Sequence, residues 1–237
     1  MKCMRCGSSA SSNEFASTLQ YASLCEKCSD SYGAESRALG RFYCVPDKMV
    51  KGVGLVLEGL QEAYPDFKPQ VNHMEQTPSR VARMFLEICW GLGVDPAKHL
   101  GTTFEESNYG GIVLISGIQF TSLCMHHFAI FRGVAHVGYI PDKRIVGLSK
   151  INRIVEILAA RPQVQEQLTF QIADLLHDVL APKGTAVILE GSHDCIEVRG
   201  VRSKGSVTKT SEMRGIFLDN KRNCKDEFMS LLESRRE

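Results

Sequence analysis

The chain has 237 residues, 43% of them hydrophobic and 23% charged, with a net charge of +1. Those proportions describe an ordinary globular protein long enough to bury a real core, and they exclude a general electrostatic pull toward nucleic acid or membrane. Any anion-binding site must be local.

Residues 1–35 differ from the rest. Cys3 and Cys6 form one CxxC pair and Cys25 and Cys28 another, 18 residues apart, across a stretch rich in serine and alanine. Four thiolates at that spacing match a zinc ribbon, a structural site that would stabilise a segment too short for its own core. The nine cysteines are an odd number, which fits metal sites in a reducing, cytoplasmic compartment better than a disulfide framework. The start of the chain lacks the apolar core of a signal peptide, and no stretch approaches the length of a membrane span.

After a linker at 36–45, the main domain is expected over 46–237, with a helical part at 46–95 and a core at 110–220. Met49, Val53, Val56, Leu57 and Leu60 recur at helical steps until Pro65 and Pro69 break the pattern. Thr77 and Pro78 read as the cap and first position of a second helix, with Val81, Met84, Phe85 and Ile88 on its buried face and an end near Gly91. Strands are expected at Ile112–Phe120 and Val134–Ile140. Ser149 opens a helix through Ile154, Val155 and Leu158. Pro162 interrupts it, and Val164, Leu168, Ile172, Leu175 and Val179 mark a longer one. Strands at Thr185–Glu190, at Cys195–Val201 and around Thr208 and Thr210 follow, then a charged helix from about Asn223. Helices gathered between antiparallel pairs indicate α+β.

Chemistry concentrates in two runs. In Leu123-Cys124-Met125-His126-His127-Phe128, a thiolate and an imidazole three positions apart suit a tight turn around one ion. Cys195, in Ser192-His193-Asp194-Cys195, would supply a third ligand and leave a fourth position open, the arrangement by which zinc activates water. His126 is then free for proton transfer or for holding substrate. On an extended strand His193, Cys195, Glu197 and Arg199 would share one face, which would carry a proton-transfer group, a ligand and a guanidinium in a row. The helix start at Gly147–Arg153 offers free N–H groups to an anion. Lys150 and Arg153 lie near it, and Arg199 and Arg80 could add to a polyphosphate site. Gln165 and Glu166 stand near another helix start, where a buried carboxylate could pair with the N–H edge of a purine.

Taken together, the runs TPSRVARMF at Thr77, CMHHF at Cys124, GVAHVGYIP at Gly133, GLSKINRIVE at Gly147, RPQVQEQLTFQIAD at Arg161, HDCIEVRGV at His193 and TKTSEMRGIF at Thr208 resemble GTP cyclohydrolase I. The resemblance covers roughly four fifths of the chain. It implies the T-fold, an antiparallel sheet with paired helices, assembled into a toroidal decamer with active sites between subunits. It implies hydrolysis of GTP with release of formate and rearrangement to 7,8-dihydroneopterin triphosphate. By the same resemblance Cys124, His127 and Cys195 are zinc ligands, His193 is the acid–base histidine and His126 its neighbour. Glu166, with Gln165 adjacent, matches the purine-recognising carboxylate. Ser149, Lys150, Arg153 and Arg199, with Arg80 added, match the groups on ribose and triphosphate.

One position departs from the family, which usually has glutamate where this chain has Met125. A thioether carries no charge and accepts no strong hydrogen bond, and losing such a partner behind the ligands commonly costs about 10- to 100-fold in metal affinity or activity. Glu197 is the candidate substitute. Two other readings therefore stay open. One is an altered enzyme that stalls after ring opening or takes another purine nucleotide. The other is a catalytically silent nucleotide-binding assembly with a zinc-ribbon adaptor.

Overall fold

The computed structural model describes residues 45–67, 74–101, 103–105, 109–219 and 221–234. The four cysteines of the expected ribbon and all but the last residue of the expected linker lie outside these. The chain divides into one unit ending at Ile88 and another running from Cys89.

The first unit contributes two helices. α1, Asp47–Ala63, follows Pro46 and carries Asp47 in its first turn, where the helix dipole favours a negative charge. None of its residues is buried, and Leu55, Val56 and Leu60 are exposed. In α2, Thr77–Ile88, Thr77 is already helical rather than a cap. Its buried residue is Ala82, whereas Met84, expected inside, is exposed.

The second unit is built on strand pairs flanking a helix pair. The strands are β1 (Thr103–Glu105), β2 (Val113–Cys124), β3 (Ile130–Ile140), β4 (Arg144–Val146), β5 (Pro162–Gln163), β6 (Gly184–His193) and β7 (Thr208–Gly215). The helices are α3 (Leu148–Ala159), α4 (Gln165–Leu180), a single turn α5 (Asp194–Glu197) and α6 (Cys224–Glu233). The main sheet has the order β5-β2-β3-β6-β7, antiparallel except where β5 meets the end of β2. Two long antiparallel pairs with a helix pair between them along the chain make the α+β T-fold arrangement. β1 and β4, too short to announce themselves by periodicity, pair separately.

Alternation assigns the two faces. On β3, Phe131, Ala135, Val137 and Tyr139 face α3 and α4, and on β6, Val187 and Leu189 do so. Ile151, Ile154, Val155 and Leu158 of α3 and Leu168, Ile172 and Leu176 of α4 meet them at helical spacing. β2 does not keep one parity. Its register against β3 shifts between Ile115 and Ile118, with Gly117 at φ 75°. Before this bulge the odd residues Val113 and Ile115 pack on the helix side; after it the even residues Ile118, Phe120 and Cys124 do.

The opposite face carries a second core, formed by Ile112, Ile140, Ala186 and Ile188 with Phe217, Phe228 and Leu232. Phe228 of α6 lies over Gly138, where a Cβ would stand 2.6 Å from its ring, and meets Phe217 edge-to-face at 5.9 Å.

One expected strand is absent. Cys195–Val201 was to be extended, but residues 194–197 form the helical turn α5. The last β3 partner of β6 is the pair Phe131↔His193, and beyond it the backbone pairs with no described strand. It closes on itself instead, with the Val198 N–H donating to the Asp194 carbonyl at 3.0 Å, and Asp194 pairs with Arg132 at 3.0 Å. No described helix is long and apolar enough to cross a membrane.

Replacing Phe228 with alanine should cost about 3–5 kcal/mol, as for other buried aromatic truncations. A lowered urea midpoint, followed by circular dichroism on the wild type and variant in parallel, would register it.

Candidate metal and catalytic site

Three strand ends converge at one end of the main sheet. β2 arrives at Cys124, β3 departs from Ile130 opposite Leu123, and β6 arrives at His193 opposite Phe131. The β2–β3 connection is a tight turn. The Cys124 N–H donates to the Ala129 carbonyl and the Phe128 N–H to the Cys124 carbonyl, both at 2.8 Å, with Phe128 at φ 52°. That turn swings His127 back over the strand end, so that its Nδ1 lies 3.8 Å from Cys124 Sγ.

The helical turn α5 brings Cys195 to the same place. One ligand atom from each of Cys124, His127 and Cys195 lies within 4.8 Å of the others. Cys124 is buried, Cys195 half-buried and His127 exposed, so the cluster opens toward solvent on the imidazole side. Burial and the neighbouring Cys124 sulfur push the Cys195 thiol upward from its ordinary range, while Arg199 pulls the other way. Two thiolates crowded together are unfavourable on their own, and a bound divalent cation reverses that balance. Two sulfurs and one imidazole nitrogen are donors suited to a borderline-soft metal. The group fits a metal ion with three protein ligands.

His193 stands on the helix side of β6. Its ring stacks on Phe131 at 4.7 Å between centroids and 5° between planes. Its Nε2 lies 2.8 Å from Gln165 Oε1. Burial holds its pKa below the usual imidazole value, and the Glu166 carboxylate acts in the opposite direction. His126, on the β2–β3 turn, is exposed and meets His127 edge-on at 6.2 Å.

Several expected placements change. Glu166, expected as a buried carboxylate, is exposed on the first turn of α4. Gln165, expected beside it as a substrate contact, is the buried member of the pair, 2% exposed, with its side chain turned into the protein. Glu197 does not share the His193 face. It accepts a hydrogen bond from Ser192, whose position one residue before His193 sets it on the opposite side of the strand. It therefore makes a poor substitute for the glutamate missing at Met125, which is itself 47% exposed.

Ser149, Lys150 and Arg153 are not brought to the cluster within one chain. β3 runs from the cluster to Ile140 at the far end of the sheet, and α3 begins there and returns. The start of α3 is thus about 18 Å along the helix axis from its cluster-side end, at 1.5 Å per residue. Arg199 is exposed just beyond α5, and Arg80 lies on α2, where its Nη2 donates to Gln76 Oε1 at 3.0 Å.

A family model described as GTP cyclohydrolase I matches residues 59–233. A GTP cyclohydrolase 1 from Desulforamulus reducens is 46% identical over 186 residues, covering 78% of this chain and 96% of that protein. One from Mycobacterium tuberculosis is 51% identical over 154 residues, 64% of this chain and 76% of that protein. One from Rhodopirellula baltica is 48% identical over 149 residues, 63% of this chain and 65% of that protein, so this chain spans just under two thirds of it. The solved structure of the archaeosine synthase QueF-Like in the apo form superposes with a TM-score of 0.38 at 14% identity, over 44% of this chain and 94% of that one.

Cys195→Ser and His127→Ala should each lower bound metal by about one ion per chain relative to the wild type. Elemental analysis after gel filtration, with protein concentration from amino-acid analysis, measures the difference whatever else the chain binds.

Proposed function

Because the chain belongs to the GTP cyclohydrolase I family, we propose that it hydrolyses GTP at C8 of the guanine ring, releases formate and forms 7,8-dihydroneopterin triphosphate. The observation that carries this reading is the convergence of Cys124, His127 and Cys195, with His193 at the end of β6 two residues before Cys195.

Cys124, His127 and Cys195 would hold zinc. Zinc bound by three protein ligands supplies Lewis acidity and brings the pKa of water near neutrality. His193 gives and takes protons at the purine ring through a ring nitrogen, with its ring plane fixed by stacking on Phe131. Glu166, on the exposed first turn of α4 and close enough to influence His193, accepts the N–H edge of guanine. His126 borders the substrate. Ser149, Lys150, Arg153 and Arg199, with Arg80, hold ribose and triphosphate, and clamping both ends of the nucleotide keeps the reacting carbon in place.

These groups would come from more than one chain. The length of α3 between Lys150 and the cluster supports a pocket shared between subunits, and the ring-shaped decamer is proposed from the family resemblance alone. Cys3, Cys6, Cys25 and Cys28 would close a second, structural zinc site, for about two zinc ions per chain.

Met125 carries a second reading, an enzyme that opens the ring and stalls. Zinc-loaded protein incubated with GTP should release formate and develop pterin fluorescence together. Formate without fluorescence would favour the stalled enzyme, in which case Met125→Glu should restore the pterin. Tight GTP binding with neither product would favour a silent assembly. His193→Ala should lower kcat by about 10²- to 10⁴-fold, read by the same fluorescence assay.

A further inference from the structure

Gln165 and His193 are 28 positions apart, yet the fold locks them together. The Gln165 amide nitrogen reaches three acceptors: the Leu189 carbonyl at 3.3 Å, the Thr208 carbonyl at 3.0 Å and Thr210 Oγ1 at 3.1 Å. Two of these are carbonyls, which only accept. Turning the amide over would set its oxygen against both, so the nitrogen must face them.

The hydroxyls extend the same polarity. Thr169 Oγ1 donates to the main-chain carbonyl of Gln165 at 2.8 Å, and so accepts from Thr210 Oγ1, 2.6 Å away. Thr210 Oγ1, its own proton used, accepts from the Gln165 amide. The circuit closes on the residue where it began, with every donor directed one way. Gly191 makes room for it: a Cβ there would collide with Gln165 Oε1 and stand 3.6 Å from His193 Nε2.

Only Oε1 remains to meet His193, and an amide oxygen cannot donate. We infer that Gln165 is a positioning residue that fixes the neutral His193 ring as the Nε2–H tautomer, leaving Nδ1 as the nitrogen that exchanges protons with substrate. The Phe131 ring fixes the plane of the imidazole, and Gln165 fixes its rotation within that plane. His193 would otherwise divide between two tautomers and two flipped orientations. The role rests on His193 acting as the proton-transfer group, but the tautomer does not depend on the identity of the substrate.

The test has two arms on the zinc-loaded full-length chain. In the first, protein labelled with ¹⁵N-histidine, without GTP, is studied by solid-state NMR about two pH units above the ordinary imidazole pKa. His193 is assigned by its absence from a His193→Gln sample. A single Nε2–H form is expected, and an Nδ1–H form would overturn the inference whether or not the protein turns over GTP. In the second arm, Gln165→Met keeps length and loses both ends of the amide. It should lower kcat on the order of 100-fold, as small misplacements of catalytic groups do, with KM changed less than about 3-fold, and give His193 mixed tautomers. An unchanged kcat would overturn the positioning role, and a raised KM at unchanged kcat would assign Gln165 to substrate binding instead. Should Gln165→Met fail to fold, the wild-type tautomer still decides.

Discussion

The antiparallel register of β2, β3 and β6 is the constraint on which the site depends. Leu123 opposite Ile130 and Phe131 opposite His193 place three strand ends side by side. Cys124 is then the last residue of one strand, and Cys195 lies two residues past the end of another. Hydrogen-bonded ladders set these positions to within a fraction of a strand spacing, because a slip of one residue would reverse every side chain. The apolar faces of β3 and β6, buried under α3 and α4, oppose any such slip. The functional groups sit where the ladder stops, and only there is the backbone free to turn.

That location explains why the ligands come from irregular chain. His127 reaches Cys124 because the β2–β3 connection folds back tightly. Cys195 reaches it because α5 replaces what would have been more strand. A continuous strand through residue 199 would have carried the thiol away along the sheet at roughly 3.3 Å per residue. The Arg132–Asp194 pair and the Ser192–Glu197 hydrogen bond hold the outer side of this turn. These polar contacts shape the approach to the cluster without entering it.

Much of this was legible in the sequence. The helices declared themselves through three- and four-residue spacing, and the long strands through apolar runs bounded by turn residues. The Cys124–His127 spacing and the distant Cys195 suggested a ligand set from chemistry alone. The losses have physical causes. Alternation of His193, Cys195, Glu197 and Arg199 looked like a strand because a sequence does not state where a partner strand ends. Neighbours on a helix start divide into inside and outside, and at Gln165 and Glu166 the division ran against expectation: the amide went in because acceptors were waiting for it, and the carboxylate stayed with water. The pairing of Gln165 with His193 left no local trace, since it is created by packing α4 onto β6 and β7. The very short strands and the bulge in β2 fell below what periodicity resolves.

The bulge in β2 also sets the evolutionary latitude of that strand. Upstream of it, Ile112 and Leu114 serve one hydrophobic core while Val113 and Ile115 serve the other, so both sides are already greasy. An insertion of one codon there exchanges comparable side chains between two oily compartments. Downstream, from Ile118 to Thr121, the sides are unlike, with Ile118 and Phe120 inward and Gln119 and Thr121 in water. The same insertion there would bury amides and hydroxyls and rotate the thiol out of reach. Length variation among descendants of this chain should accordingly accumulate before Gly117 and be purged after it.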